Sequence, residues 1–349
     1  MEVAQHPYKT QILDFHSCKT QWATRSLYFE GQKRNQFCIL HYRLNLELLV
    51  SLTKVLVEQG HEVVLFNRGN KPAPVAGVRQ IHGDRTDPAQ LKEKLKNESF
   101  EAIFDNNGRE LSDTQPLVQI FRERIGHFVY VSSAGVYLKS DQMPHKEGDK
   151  LDPKSRHKGK HETENYLSEM GLPWTSIRPV YIYGPGNYND LEAWFFDRLV
   201  RNRPIPIPGH GEHFTQFGHV VDLAKAMAAV LGNSQAIGQV YNISGDRYVT
   251  FNGLAKACAA AMGKNAEEIE IVNYNPKKFD FGKKKPFPLR VQHFYADINK
   301  ATRELNWQPE YDLVSGLADS FQNDYLPSGR DRQEIDLAID DQILANQQN

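Results

Sequence analysis

Short apolar runs alternate with amphipathic stretches along most of this 349-residue chain. An amphipathic helical pattern stops at Gly60, and a β-rich apolar run follows over 62–66. The alternation continues through helical patterns over 88–97 and 113–125 and an apolar run over 128–131. Strands that alternate with helices in this way predict an α/β fold with a doubly wound, Rossmann-like parallel sheet.

The pattern also predicts domain boundaries. Beyond a sixth strand near residue 180, an aromatic amphipathic helix, a Pro-rich connection and further helices indicate a smaller C-terminal α/β domain. We predict four parts: an anomalous segment at 1–50, a Rossmann-like domain at 51–180 plus about 216–246, a small substrate-type domain at 181–215 plus 247–330, and a tail at 331–349.

The first 50 residues break the pattern, because Gly31 is the only glycine before Gly60. A dinucleotide-binding unit needs glycines after its first strand so that the backbone can approach the pyrophosphate at the helix amino end. We therefore predict that the first βα unit is incomplete and that NAD(P) binds weakly. Codons can be chosen for Leu46 to Leu52 that spell Gly-Thr-Pro-Arg-Phe-Ile one frame over, so a reading-frame error and genuine divergence both stay open.

Charge and cysteine content narrow the partners. The chain has 42 Lys+Arg and 43 Asp+Glu residues, so a nucleic-acid partner would have to meet a local basic patch. Three scattered cysteines lack metal-binding spacing, and no metal site is predicted. No apolar run is long enough for a membrane span and no secretory signal is evident, so we expect a soluble intracellular protein without a membrane partner.

One local basic patch does occur, between residues 277 and 290, where cations and phenylalanines interleave. Prolines and a glycine predict an exposed loop there. Such a loop can neutralise phosphates and stack unpaired RNA bases, or its phenylalanines can simply anchor a solvated loop to the core. The candidate RNA-binding residues are Lys277, Lys278, Phe281, Lys283, Lys284, Lys285 and Arg290.

The segment from His127 to Tyr137, HFVYVSSAGVY, predicts a buried strand that delivers Ser133 at its carboxyl end. In wording and order it resembles the extended short-chain dehydrogenase/reductases, the NAD-dependent sugar epimerases and dehydratases. The resemblance implies catalytic positions at Ser133 and Lys160, and it aligns Arg156 with the family's tyrosine. An arginine does not release its proton near neutral pH, so it cannot replace that tyrosine as an acid. Residues 154–167 have a helical pattern, and two interpretations of His157, one residue after Arg156, stay open: it titrates near neutrality, or it is a solvated helix residue.

The same resemblance implies cofactor-binding positions. Asp84 would face the adenine and Asn106 would lie at the cofactor edge, whereas Arg68 stands beside the expected ribose-binding position and favours a 2′-phosphate. The alternative is that Asp84 and Asn106 only shape turns. Thr215 stands where the family's arginine grips a nucleotide-sugar diphosphate, which argues against a UDP-sugar substrate.

The runs WTSIRPVYIYGP, RPIPIP, YNISGDRYVTFNGLAKACA and YNPKKFDFGKKKPFPLR resemble the b-type chloroplast stem-loop-binding proteins and their cyanobacterial relatives. This resemblance implies an RNA-binding protein with stem-loop endoribonuclease activity, in contact with ribosomal RNA or ribosomal particles, in a plastid stroma or a cyanobacterial cytoplasm. It also implies a homo-oligomer or a hetero-oligomer with a paralogue.

Two other hypotheses stay open: an NAD(P)-dependent nucleotide-sugar epimerase, dehydratase or reductase, and a catalytically silent scaffold. Arg156, Thr215 and the missing glycines count against the enzyme. The sequence identifies neither a nuclease site nor a requirement for a divalent metal.

Overall fold

The computed structural model describes residues 36–40 and 46–346. Elements are numbered along the chain. Within the described residues, the large sheet has seven parallel strands: β1 Gln36–Leu40, β2 Glu62–Asn67, β3 Arg79–His82, β4 Ala102–Asp105, β5 His127–Val131, β6 Trp174–Pro179 and β10 Gln239–Ile243. The helices that accompany it are α1 Leu46–Glu58, α2 Pro88–Leu95, α3 Leu111–Phe121, α4 Lys158–Glu169, α6 Val220–Ala228 and α8 Asn299–Leu305.

The strand order is β3-β2-β1-β4-β5-β6-β10, so the winding direction reverses between β1 and β4. Every residue of β4 and β5 is buried, as expected for parallel strands with helices on both faces. The predicted doubly wound Rossmann-like sheet is confirmed. In such a sheet ligands lie beyond the carboxyl ends of the strands near the reversal, and this edge carries the candidate site.

The expectation of an incomplete first βα unit is wrong for its strand. β1 lies between β2 and β4 with parallel register, and α1 begins at Leu46 rather than near Ser51. Leu48, Leu49 and Leu52 are buried against the sheet, and this apolar face secures the helix although no glycine turn precedes it in the sequence. The predicted absence of a phosphate-binding turn falls on residues 41–45, which lie outside the described residues.

The smaller part of the chain has its own apolar core, to which Phe195, Phe196, Phe251 and Leu317 contribute. Its strands and helices are β7 Tyr181–Tyr183, α5 Glu192–Val200, β8 Ile205–Pro208, β9 Phe214–His219, β11 Tyr248–Thr250, α7 Phe251–Ala261, β12 Ile271–Tyr274, α9 Leu313–Ser320 and α10 Ala338–Ala345. Strands β11, β9 and β7 form one sheet, and β8 pairs with β12.

The Pro-rich connection predicted around 204–208 is strand β8. The Ile205 and Gly209 amides donate to carbonyls at the two ends of β12, at 2.9 and 2.8 Å. Prolines 206 and 208 alternate with these donors, so their missing amides lie on the side without a partner strand. Ile205 and Ile207 are fully buried, which secures the strand against the small core.

The last described helix, α10, is tied back to α5. Arg198 donates to Asp340, and the guanidinium also lies 3.5 Å from the centre of the Trp194 ring. Ile343 is fully buried beside this ion pair. None of the helices in the described part of the chain is long and apolar enough to cross a membrane.

Candidate functional site

The candidate site begins at the carboxyl end of β5. The chain leaves the strand through Ser132 and Ser133 into a short 3-10 turn at Ala134–Val136. The Ser133 Oγ accepts a 3.0 Å hydrogen bond from the Gly135 amide. Ser133 therefore stands at the ligand-binding edge of the sheet, and its hydroxyl also caps the turn.

Lys160, in the first turn of α4, reaches the same edge. Its Nζ donates to the carbonyl oxygens of Val131 at 2.6 Å and Gly108 at 3.0 Å. Burial lowers the pKa of Lys160 to about 8, while the charges of Asp105 and Glu164 oppose that shift. At neutral pH Lys160 is therefore still mostly a cation.

The two carboxylates near Lys160 are already bound to arginines. Asp105 accepts from both terminal nitrogens of Arg85, at 2.6 and 3.0 Å. Glu164 accepts from Arg178 Nη2 at 2.6 Å and from its Nε at 3.0 Å. Because each carboxylate is paired with an arginine, it offsets only part of the further positive charge at this edge.

Arg156 and His157 lie in the turn that precedes α4. The helix begins at Lys158, later than the helical pattern predicted. Ser155 accounts for the turn: its Oγ donates to the Gly135 carbonyl at 2.7 Å and accepts from the His157 amide at 3.1 Å. The turn is thereby held against the exit of β5.

The expectation that His157 titrates near neutrality is wrong. Burial, followed by the positive charges of Arg156, Arg290, Lys160 and Arg109, lowers the pKa of His157 to about 4. Arg156 Nε donates to His157 Nε2 at 3.0 Å. The imidazole is therefore neutral at physiological pH.

Arg290 comes from the end of the basic loop but approaches the same turn. A Cβ atom on Gly135 would lie 2.5 Å from His157 Cδ2 and 3.0 Å from an Arg290 terminal nitrogen, so only glycine permits this approach. Lys285 is also close, because burial and then the charges of Arg156 and Arg290 lower its pKa. We define the cationic cluster as Arg109, Arg156, Lys160, Lys285 and Arg290.

The cationic cluster is suited to hold an anion rather than to carry a proton. Arginine stays protonated and offers a planar set of donors that matches phosphate oxygens. Like charges gathered at a partly buried edge repel one another, and a bound anion would relieve that repulsion. The residue types and their proximity therefore favour a phosphate ligand.

The basic loop, residues 277–290, has two parts. Lys277, Lys278 and Lys283 are exposed. Lys284 pairs with Asp336 at 3.2 Å, and Lys285 Nζ donates to the Pro288 carbonyl at 2.5 Å. The sequence analysis placed all six cations of the loop in one exposed patch. In the structure, Lys285 and Arg290 instead belong to the cationic cluster.

The loop phenylalanines also divide. Phe287 is buried against Trp194 and Phe251, with ring centroids 5.3 and 4.9 Å away. Phe279 and Phe281 are half-buried and stacked on each other at 5.4 Å. Phe287 is therefore the anchor that the alternative interpretation expected, and one face of Phe281 is already covered.

The amino end of α1 carries acidic side chains instead. Glu47, in the first turn, is 7% exposed, and its Oε2 has no hydrogen-bond partner among the described residues. Burial raises the pKa of Glu47 to about 7, with further contributions from the charges of Glu192 and Asp324. Burial also raises the pKa of Glu192 to about 7. We call Glu47, Glu192 and Asp324 the acidic cluster.

The acidic cluster bears on dinucleotide binding. A dinucleotide places its diphosphate at the amino end of the first helix of a Rossmann unit. In this chain Glu47 brings a carboxyl group into that first turn, and two further carboxyls raise its proton affinity. The residues at the amino end of α1 therefore do not fit a diphosphate.

The three predicted cofactor residues lie along the same sheet edge. Asp84 Oδ1 accepts from the Thr86 amide at 2.9 Å and the Thr86 hydroxyl at 2.7 Å, which lowers the pKa of Asp84. The charge of Arg68 contributes to that shift, so the two side chains are neighbours. Asn106 is fully buried, and neither of its amide atoms has a partner among the described residues. Asp84 thus shapes a turn, while Asn106 keeps unused hydrogen-bonding capacity.

The position of the family's diphosphate-gripping arginine is buried. Thr215 is 1% exposed and its hydroxyl lacks a partner in the described part of the chain. Nearby, Asp222 accepts from the amides of Glu310 and Tyr311, so it holds the following segment. Among residues 36–40 and 46–346, no group of three His, Cys, Asp or Glu side chains is arranged to hold a metal ion.

Comparison with known proteins places this geometry in a family. The model of the NAD dependent epimerase/dehydratase family matches residues 51–244, which is more than half of the chain. The chain belongs to this epimerase/dehydratase family. The UDP-glucose 4-epimerase of Thermotoga maritima, solved with UDP-glucose, superposes with a TM-score of 0.69 at 20% identity, covering 84% of this chain and 99% of that one. The Thermus thermophilus UDP-glucose 4-epimerase, solved with NAD, has a TM-score of 0.64 at 17% identity, covering 86% and 100%.

A relative with much higher identity has a different name. The chain is 50% identical over 308 residues to the chloroplast stem-loop binding protein of 41 kDa b of Arabidopsis thaliana. The match covers 84% of this chain and 80% of the relative. The predicted resemblance to that group is confirmed. The two epimerase structures, each under 25% identical, establish the fold alone.

Sequence reasoning missed Arg109 as a neighbour of the site, and it assigned Arg290 to the loop alone. The proximity of Arg290 to Gly135 joins positions 155 residues apart, which no local pattern reveals. The charge at Glu47 was also missed. An acidic residue in a first helical turn is a common stabilising feature, and only its burial beside Glu192 distinguishes it.

Proposed function

We propose that this chain is an RNA-binding protein built on an epimerase/dehydratase frame, and that the cationic cluster holds RNA phosphates. The observation that carries the proposal is Arg156. It stands where the family's proton-carrying tyrosine would be, and its charge acts on His157 together with those of Arg290 and Lys160. The substitution removes an acid–base group and adds a phosphate-binding one.

The basic loop extends this interface. Lys285 and Arg290 join the cluster, and Lys277, Lys278 and Lys283 continue the positive charge along the exposed part. We propose that an RNA backbone runs from the exposed lysines to the cluster, with Phe281 as an additional base contact. The Arabidopsis relative is named as a stem-loop binding protein, which supports RNA stem-loops as the ligand class.

The alternative, a nucleotide-sugar epimerase or dehydratase, is less well supported. Lys160 and Ser133 stand at the expected sheet edge, but Arg156 and Thr215 replace groups that the chemistry needs, and Glu47 disfavours the cofactor diphosphate. NAD(P), when bound by family members, supplies hydride transfer. For this chain we propose that NAD(P) binds weakly, with any contact through Arg68, Asp84 and Asn106.

Endoribonuclease activity is the finer part of the proposal. His157 is neutral in the free protein. An RNA phosphate bound by Arg156 would offset the positive charges that lower the pKa of His157, and its Nε2, released from Arg156, would then accept the proton of a ribose 2′-hydroxyl. The 2′-oxygen would then bond to phosphorus and the bond to the 5′-oxygen would break. Water would protonate that oxygen, giving a cyclic phosphate and a 5′-hydroxyl end.

The cellular setting follows from the same relative. The Arabidopsis protein is named as chloroplastic, and we propose a plastid stroma or a cyanobacterial cytoplasm for this chain. Ribosomal RNA and ribosomal particles are the proposed partners. Assembly with itself or with a paralogue is part of the same proposal.

The proposal is tested by binding of a stem-loop RNA and of NADPH, side by side, to the wild type and to an Arg156→Gln, Arg290→Gln double variant. Each lost phosphate contact should lower the slope of log affinity against log salt by about 0.7, so the variant should lose about 1.4. RNA affinity should fall about 10- to 100-fold at low salt. The matched control is Arg303→Gln, Arg332→Gln, which removes two exposed arginines elsewhere.

An unchanged RNA affinity and salt slope in the double variant would contradict the proposal. Tight NADPH binding with no RNA binding by the wild type would favour the enzyme instead. For cleavage, His157→Gln should retain RNA binding and lose the cyclic-phosphate product, which mass spectrometry of the RNA fragments detects.

A further inference from the structure

Four aromatic side chains form a row on the surface of the small domain. His293 and Phe214 have ring centroids 5.8 Å apart, Phe214 and Tyr295 are 6.3 Å apart, and Tyr295 and Tyr248 are 4.3 Å apart. Phe214 is 42% exposed and Tyr248 43%. We call Phe214, Tyr248, His293 and Tyr295 the aromatic row. Large rings left in water cost free energy, so a connected row of them calls for an explanation.

The backbone fixes the row. Phe214 lies opposite Thr250 in the antiparallel pair of β9 and β11, so Tyr248, two residues from Thr250, is on the same face. The segment that carries His293 and Tyr295 runs alongside β9, because the Phe294 amide donates to the Phe214 carbonyl at 2.9 Å. The alternation along that segment buries Phe294 and turns its two neighbours outward.

Polar contacts hold the rings in place. The Phe214 amide donates to His293 Nδ1 at 3.0 Å, which fixes the imidazole beside the Phe214 ring. Rings that are ordered before binding lose little conformational entropy when a ligand stacks on them. The edges of His293, Tyr248 and Tyr295 also carry hydrogen-bonding groups, which suit a polar planar ligand better than an aliphatic surface.

Arg290 lies close behind the row, on the buried side of the same segment. Its guanidinium lies 4.7 Å from the centre of the buried Phe294 ring, and the Phe294 amide donates to the Phe214 carbonyl. Lys139 is near the His293 end of the row, because its charge helps to lower the pKa of His213, which contacts His293. Asp297 lies near Tyr248, so the positive charge is concentrated at the His293 end.

We propose that the aromatic row stacks unpaired bases of the RNA whose phosphates occupy the cationic cluster. This inference rests on the proposed RNA-binding function and adds a second subsite with its own chemistry. Aromatic side chains bind splayed-out bases through their faces, while adjacent cations take the backbone. The positive charges of Lys139 and Arg290 near the His293 end favour RNA over another protein as the occupant. The unpaired loop of a stem-loop then contacts the row, and the backbone beside it contacts Arg290.

The test compares two RNA probes: a stem-loop with an unpaired uridine loop, and the same stem as a blunt, fully paired duplex. Phe214→Ala and Tyr248→Ala should each weaken stem-loop binding about 5- to 150-fold. Neither should change duplex binding by more than about twofold, and the salt slope should stay that of the wild type. Phe214→Tyr and Tyr248→Phe keep a ring at each position and should retain stem-loop affinity.

The matched control is Val291→Ala, which truncates a 46% exposed side chain on the same segment and should leave both affinities unchanged. The Arg156→Gln, Arg290→Gln variant should instead weaken both probes and flatten the salt slope. If Phe214→Ala and Tyr248→Ala bind each probe as tightly as the wild type, while the arginine double variant still binds both more weakly, the row does not bind bases. The proposed RNA-binding function is then unaffected. Failure of the wild type to bind either probe overturns both. If Phe214→Ala or Tyr248→Ala abolishes self-association in sedimentation and leaves RNA affinity unchanged, the row is a contact between copies of the chain, and the proposal is wrong.

Discussion

The cationic cluster and the acidic cluster lie on one structural frame and carry opposite types of ionisable side chain. At the end of β5, Arg156, Arg290 and Lys160 gather where the family carries a tyrosine and a lysine. At the amino end of α1, where a Rossmann unit places a diphosphate, Glu47 lies near Glu192. A cofactor-binding member needs the reverse: a site that welcomes anions at the helix and a neutral acid beside the lysine.

The difference separates what the backbone determines from what the side chains determine. The strand order and the reversal between β1 and β4 are those of a dinucleotide-binding sheet. Under the proposed function, a few charged side chains at two points of this edge change the favoured anion from a cofactor diphosphate to an RNA phosphate. The fold thus predicts where a ligand lies, and charge predicts its class.

The largest expected effect concerns oxidoreductase chemistry at the cationic cluster. Loss of a general acid–base group typically costs about 10²- to 10⁴-fold in rate, so interconversion of UDP-glucose and UDP-galactose should be at or below that fraction of an active epimerase's rate. Arg156→Tyr alone should not restore it, because Glu47 still opposes the cofactor diphosphate. A coupled assay with added NAD measures this turnover. Robust turnover by the unaltered chain would show that the two clusters do not exclude oxidoreductase chemistry.

A smaller effect is expected from the loop that extends the cationic cluster. The Lys283→Ala, Lys284→Ala, Lys285→Ala triple variant should flatten the slope of log RNA affinity against log salt by about 2, since each single-strand phosphate contributes about 0.7. Its Tm should hardly change, because exposed side chains seldom contribute more than about 0.5 kcal/mol to stability. Lys277→Ala, Lys278→Ala should act in the same direction.

The matched control for the loop is Lys92→Ala, Lys94→Ala, Lys96→Ala, which removes the same charge from the exposed surface at α2. If both triple variants flatten the slope equally, net charge rather than the loop accounts for binding. If neither does, the loop is a solvated connection. Phe281→Ala should weaken binding by about 1–3 kcal/mol without altering the slope.

The smallest effect is on stability, at the acidic cluster. The pKa of Glu47 is about 7 in the fold and near 4.5 in the unfolded chain. Between those values the folded state holds a proton that the unfolded state has released, so stability falls as pH rises from 4.5 to 7. Glu47→Gln should therefore stabilise the protein by about 1–2 kcal/mol at pH 8 and hardly at all at pH 4.5.

Urea denaturation at the two pH values measures the Glu47 effect, with Glu58→Gln on the exposed end of the same helix as control. If Glu47→Gln raises the free energy of unfolding equally at both pH values, the ionised Glu47 carboxylate does not destabilise the fold. The same variant should also bind NAD(P) more tightly than the wild type, which calorimetry would detect.

The sequence predicted the sheet well because parallel strands buried on both faces appear as apolar runs such as FVYV. It failed at β1, since the glycine turn, the usual sign of a first strand, is missing while the strand remains. It failed at β8 because alternate prolines resemble a loop, although an edge strand accepts them when their amides face away from the partner.

The candidate site was only partly predictable. Ser133, Lys160 and Arg156 follow from local order along the chain. The approach of Arg290 to Gly135 and the lowered pKa of His157 depend on long-range contacts and burial, which residue identity does not encode. The exposed lysines of the loop remain a prediction that binding measurements must decide.

The ion pair between Arg198 and Asp340 has a consequence for biosynthesis. It joins residues 142 positions apart, and β8 can pair only after β12 has been synthesised. The full set of these contacts in the smaller part of the chain therefore forms only after residue 340 has left the ribosome. The large sheet lacks only β10 once β6 has emerged, so it can assemble earlier. During that interval the apolar side of α5 is exposed, and the nascent chain is most vulnerable to aggregation and proteolysis at that point.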